Sequence, residues 1–216
     1  MYVYYLLFRI ITDTHSNGQE NAMSMRRTHL CSIIAVVGLA VFPLTAFAQG
    51  DGPRPSLGAS VSQRLGSETD VTIQYSRPGV KGRVIWGDLV PFGMAPGNNA
   101  SNGNPFPWRA GANENTTIEI GSDLLIEGQP LTAGKYGIHM IPTQSTWTII
   151  FSKRNADQGS SSYDESEDAL RVTVTPVEAP HQEWLMYGFD VLAGTSATGF
   201  LHWEELKVPF RIELAN

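Results

Sequence analysis

Two stretches concentrate side chains able to recognise a ligand. Residues 76–91 read SRPGVKGRVIWGDLVP, and residues 108–114 read WRAGANE. Between them they carry Arg77, Lys81, Arg83, Trp86, Asp88, Trp108, Arg109, Asn113 and Glu114. A guanidinium fork binds carboxylate or phosphate through two parallel N–H donors. An indole face stacks on a sugar ring or a cation. An amide and a carboxylate add the remaining donors and acceptors. Arg83, Trp86, Trp108, Arg109, Asn113 and Glu114 are therefore the candidate ligand-binding set. The same residues admit a structural reading, in which Arg109 pairs with Glu114 or Asp88 to pin the loop and the indoles pack in the core.

Three histidines form a second set. His139 lies in YGIHMIP, His181 in APHQEW and His202 in LHWEEL. Imidazoles on neighbouring strands can bind a metal or move protons. No two are close in sequence, so no H-x-H or H-E-x-x-H pattern exists. They stand as weak metal candidates beside partly buried structural histidines. Glu183 follows His181 by two residues, which places both on one strand face. His181, Glu183 and Glu114 are the acid/base candidates if the protein is an enzyme. Asp164, Glu165, Glu167 and Asp168 form an acidic cluster that lacks the glycine turn and terminal Glu of an EF-hand loop. It reads more simply as a solvated loop. No nucleophile elbow, phosphate loop or dinucleotide fingerprint occurs, and no motif calls for a cofactor.

The elements that must position these groups repeat with a period of two. In TDVTIQYSR, residues 69–77, Val71, Ile73 and Tyr75 alternate with polar residues, the pattern of a half-buried strand. KVPFRIEL, residues 207–214, alternates likewise, with Pro209 marking an edge or a bulge. Further strands are predicted at 59–65, 83–87, 115–120, 123–127, 135–141, 146–152, 170–175, 183–189 and 198–203. EGQPLTAGKYG, residues 127–137, supplies turn chemistry, and DESEDAL, residues 164–170, a single helical turn. About ten short strands with little helix predict one antiparallel β-sandwich, jelly-roll-like, over residues 59–216. Residues 91–107 and 153–168 form long loops, the first a candidate lid over the site.

The chain has 216 residues, 21 glycines, 13 prolines and a formal net charge of −6. Its size suits a single domain, and its acidity argues against nucleic acid as a partner. Residues 23–48 have the form of a signal peptide. Arg26 and Arg27 precede a short apolar run at 30–42, and Ala46-Phe47-Ala48 presents small residues for cleavage before Gln49. An uncleaved anchor is the alternative, and a general export signal fits better than a twin-arginine one. Residues 1–22 read as an over-extended start, with Met23 or Met25 as the true one. Residues 49–58 read as a flexible leader. The only cysteine, Cys31, falls inside the apolar run, so the exported chain has no disulfide, thiolate zinc site or Cys nucleophile. The expected location is periplasmic or extracellular, with no membrane span in the mature chain. The oligomeric state is open.

The segments PRPSLGASVSQRLGSETDVTIQYSRPGVKGRVIWGDLVPFG, WRAGANENTTIEI, LTAGKYGIHMIP, WTIIFSK and APHQEWLMYGFD resemble a bacterial family catalogued as domain of unknown function 2911. The resemblance spans about residues 53–214. It implies an exported, β-rich protein and no particular activity. This chain departs from the family pattern by inserting much of MAPGNNASNGNPFP between VPFG and WRAGANE, beside the candidate site. The leading expectation is a binding or interaction module for a small polar ligand or a cell-envelope component. A hydrolase-like enzyme and a structural envelope protein are the alternatives.

Overall fold

A computed structural model describes residues 53–215, all within the unit Gln49–Asn216. The segments read from sequence as an over-extended start, 1–22, and a signal peptide, 23–48, lie outside the described residues. Ten strands appear among them: β1 (Leu57–Leu65), β2 (Thr69–Arg77), β3 (Thr116–Ile120), β4 (Leu124–Ile126), β5 (Gln129–Leu131), β6 (Gly134–Pro142), β7 (Trp147–Ser152), β8 (Asp168–Val174), β9 (Val177–Ala193) and β10 (Ser196–Leu214). They form two antiparallel sheets, ordered β1-β2-β3-β6-β7-β8 and β5-β4-β10-β9. The predicted all-β sandwich is the observed architecture. Val71, Ile73, Ile118, Ile138 and Met140 from the first sheet share one buried core with Leu185, Leu201, Phe210 and Ile212 from the second.

Local chemistry explains several connections. Glu127 and Gly128 both take left-handed backbone angles, φ 49° and 75°, between the paired residues Ile126 and Gln129. A two-residue hairpin with both central φ positive matches the twist of its strands. Pro130, read from sequence as turn chemistry, lies in β5 instead. It is tolerated there because β5 is an edge strand.

The two predicted strands at 198–203 and 207–214 are halves of the 19-residue β10. Ala197, Leu201 and Trp203 point inward in the first half, and Val208, Phe210 and Ile212 in the second. The phase reverses because Glu204 adopts φ 57° and the pairing to β9 slips on both sides of it. Such a bulge adds a residue to one strand and swaps its faces. Pro209 falls between the last residue paired to β9, Lys207, and the first paired to β4, Ile212. No ladder bond is therefore required of it.

Residues 83–87, predicted as a strand, form a turn instead. Leu89 and Val90 donate backbone N–H groups to Val84 and Ile85, and Trp86 bridges Val90. Gly82, just before this segment, and Gly87, its last residue, have positive φ, which an extended strand excludes. The leader is anchored at its end, where Ser56 accepts a hydrogen bond from Asn113 Nδ2 at 3.0 Å. The helical turn expected in 164–170 is a short 3-10 turn, Glu165–Glu167, capped by Asp164.

Candidate functional site

The WRAGANE segment fills a gap between strand ends. β3 covers β6 only as far as Ile138. Trp108 takes the next position along β6, exchanging backbone hydrogen bonds with Met140 at 2.8 and 2.9 Å. The chain then folds back through two left-handed residues, Ala110 at φ 51° and Asn113 at φ 59°. Non-glycine residues rarely occupy this region, and they persist there only when their surroundings over-determine the backbone. The determinants are identifiable. The Ala110 carbonyl accepts hydrogen bonds from Tyr187 Oη at 2.9 Å and Thr116 Oγ1 at 3.1 Å. Gly111 leaves no room for a side chain, since a Cβ would lie 2.6 Å from Thr116 Oγ1.

A cleft of about 490 Å³ opens beside this loop. Trp108 and Trp203 line it, their rings stacked with centroids 6.1 Å apart and planes 18° from parallel. Lys81, Arg83, Arg109 and Asn113 supply its polar lining. No Asp or Glu is among the described residues that line it. Lys81, like Ala110 and Asn113, has positive φ, at 50°. Three unusual backbone positions thus bear on the two loops that carry the cations.

Each cation is held without a carboxylate at ion-pair distance among the described residues. Arg83 donates to the carbonyls of Val80 at 3.1 Å and Gly79 at 2.5 Å. The Lys81 ammonium lies 5.5 Å from the centre of the Trp184 ring. Arg109 donates one Nη1 bond to the Asn113 carbonyl at 2.7 Å. Burial pulls its guanidinium below the ordinary arginine value. The Arg109–Glu114 or Arg109–Asp88 pairing raised by the structural reading does not form.

The fold separates the remaining candidates. Glu114 pairs with Arg54 instead and borders a different hollow, where that cation holds its carboxyl below the usual range. Trp86 packs edge-on against Trp108, Trp147 and Trp203, at 4.9–5.8 Å. It is absent from the cleft lining, and its Nε1 is buried with no partner. His181 lies 3.4 Å from Glu183 in the solvent-facing first half of β9. Glu183 also accepts the Lys81 backbone N–H at 2.9 Å, which lowers its carboxyl pKa, with His181 adding to the effect. His202 Nε2 bonds the Pro180 carbonyl at 2.9 Å. His139 is buried against Ser160. No three His, Cys, Asp or Glu side chains gather as metal ligands among the described residues. In the acidic cluster, Asp168 and Glu165 pair with Arg171.

The insertion, expected as a candidate lid, does not contribute to the cleft wall. Residues 91–107 close on themselves through the Ala95–Phe106 bridge and an Asn98-capped 3-10 turn at Asn99–Ser101. None of them lines the cleft. Trp203 is the wall that sequence reasoning missed. Its local signal, an inward position two residues after Leu201, marks it only as core.

A family model described as "Protein of unknown function (DUF2911)" matches residues 56–212. No curated protein and no solved structure matches the chain.

Proposed function

This chain belongs to the DUF2911 family, and from that premise we propose that it is an exported binding module for a small anionic ligand. The signal-like segment at 23–48 supports the exported location. One observation carries the ligand class: Lys81, Arg83 and Arg109 line a single tryptophan-walled cleft that no carboxylate lines, in a chain of net charge −6. Cations at a concave site attract carboxylate or phosphate, Glu183 offsets only Lys81 among the three, and Arg109 retains donors beyond the one given to Asn113. The half-buried Trp108 face is suited to a ring attached to that anion. Backbone strain gathered at the same loops is a usual mark of a functional site. The acid/base candidates Glu114, His181 and Glu183 do not converge on the cleft, so the binding reading is preferred to the hydrolase one.

Calorimetric titration with inorganic phosphate, glycerol phosphate, glucuronate and neutral glucose tests the proposal. The anions should bind and glucose should not, and Arg109→Gln should abolish the anion response. Equal binding of glucose, or no binding of any anion, would overturn it.

A further inference from the structure

The rim of the cleft exposes apolar side chains where a soluble surface is usually polar. Val84 is 65% exposed, Leu89 45%, Phe92 42% and Trp184 41%. Three belong to the turn at 84–92 and the fourth lies beside Lys81. Leu89 lines the cleft with Lys81 and Arg83, and its N–H bonds to the Val84 carbonyl. Phe92 lies against Gly87 of the same turn, where a Cβ would meet its ring at 3.0 Å. Trp184 lies under the Lys81 ammonium and bridges Gly79, which also lines the cleft. Single exposed apolar residues carry no message, but four of them on the segments that flank a binding cleft point to a contact surface.

We propose that this face docks on an anionic lipid surface, with a headgroup phosphate in the cleft and the apolar rim entering the headgroup–acyl boundary. This rests on the anion-binding reading above and names the source of the anion. Charge complementarity selects the occupant. Arg83 and Arg109, which have no carboxylate at ion-pair distance among the described residues, meet a negative surface, while Glu183 at the Lys81 backbone offsets part of the Lys81 charge. The mixture of side chains suits an interface: Trp sits at headgroup depth, and Lys and Arg keep their charges in water while their stems lie along apolar surface. Asp88 lies in the same turn but outside the cleft lining.

Flotation with vesicles separates the outcomes. Wild-type protein should float with phosphatidylglycerol-containing vesicles and remain behind with pure phosphatidylcholine. Val84→Ser combined with Phe92→Ser, neither of which lines the cleft, should lower partitioning tenfold or more. The double variant should bind soluble glycerol phosphate as wild type does. Arg109→Gln should lose both. Glycerol phosphate binding without flotation would overturn the lipid proposal and leave the cleft reading standing. Failure of both would overturn both. Equal flotation with phosphatidylcholine, or an undiminished double variant, would also overturn the docking proposal.

Discussion

The Arg109 guanidinium lies against Gly159, so close that a Cβ on that glycine would fall 2.6 Å from Arg109 Cζ. Gly159 belongs to the 153–168 loop, which covers the outer face of the six-stranded sheet. It is thus a cleft residue's contact with a distant loop that sets the position of the cation. Gly159 also has φ 89°, so a side chain there is disfavoured by the backbone as well as by Arg109. Gly159→Ala should cost about 1–3 kcal/mol and displace the guanidinium, weakening anion binding. Urea melts with a parallel phosphate titration would show both effects. Unchanged binding would mean that Gly159 does not position Arg109.

Arg109→Ala separates a ligand role from loop pinning. Removing one member of a buried ion pair destabilises by about 3–5 kcal/mol, but no carboxylate pairs with Arg109 among the described residues. Stability should therefore stay within about 1 kcal/mol of wild type while the anion response disappears. A loss of several kcal/mol in thermal or urea melts would restore the pinning role.

Tyr187 and Thr116 should act on the same carbonyl. Each single change, Tyr187→Phe or Thr116→Val, removes one of two donors to Ala110 and should cost about 0.5–1.5 kcal/mol. The double variant leaves a buried carbonyl without those donors and should lose more than the sum of the two. A double-mutant cycle measures the excess. Strict additivity would show that the carbonyl finds another donor.

His139 links stability to pH. It is 2% exposed, and burial, assisted by the nearby Arg109 charge and opposed by Asp157, lowers its pKa from 6.5 to about 4. The folded state thus binds fewer protons than the unfolded state between these values. The stability associated with neutral His139 is fully present above pH 6.5 and is lost as pH falls through about 4. The loss is on the order of 3 kcal/mol. Its Nδ1 and Ser160 Oγ, 2.7 Å apart, join β6 to the covering loop. His139→Gln should flatten the stability profile across this window in urea melts at stepped pH. An equally steep profile would assign acid sensitivity elsewhere.

The two faces of the strands should respond differently to truncation. Ile73 and Phe210 are fully buried, whereas Gln74 and Arg211 are exposed. Ile73→Ala should cost about 2–5 kcal/mol and Phe210→Ala about 3–5 kcal/mol. Alanine at Gln74 or Arg211 should change stability by about 0.5 kcal/mol or less. Equal losses on both faces would contradict the register.

The sequence by itself determined the strand alternation, because a period of two is written into neighbouring residues. Val71, Ile73 and Tyr75 had to share a face once that segment was extended. It also marked the Gly128 reversal and brought Arg83, Trp108, Arg109 and Asn113 into one hypothesis through their chemistry. The tertiary structure alone decided that these four share a cleft, that Glu114 and Trp86 leave it, and that Trp203 completes it. Those outcomes depend on contacts between residues far apart in the chain. Trp203 reaches Trp108 only because β10 lies in the opposing sheet and its Glu204 bulge keeps both halves facing the core. The turn at 83–87 escaped for a related reason. Its apolar residues suit a strand, but positive φ at Gly82 and Gly87 and the hydrogen bonds across 84–90 bend the backbone away from the sheet. Local periodicity cannot register a partner strand that is absent, nor the carboxylates that the fold places elsewhere.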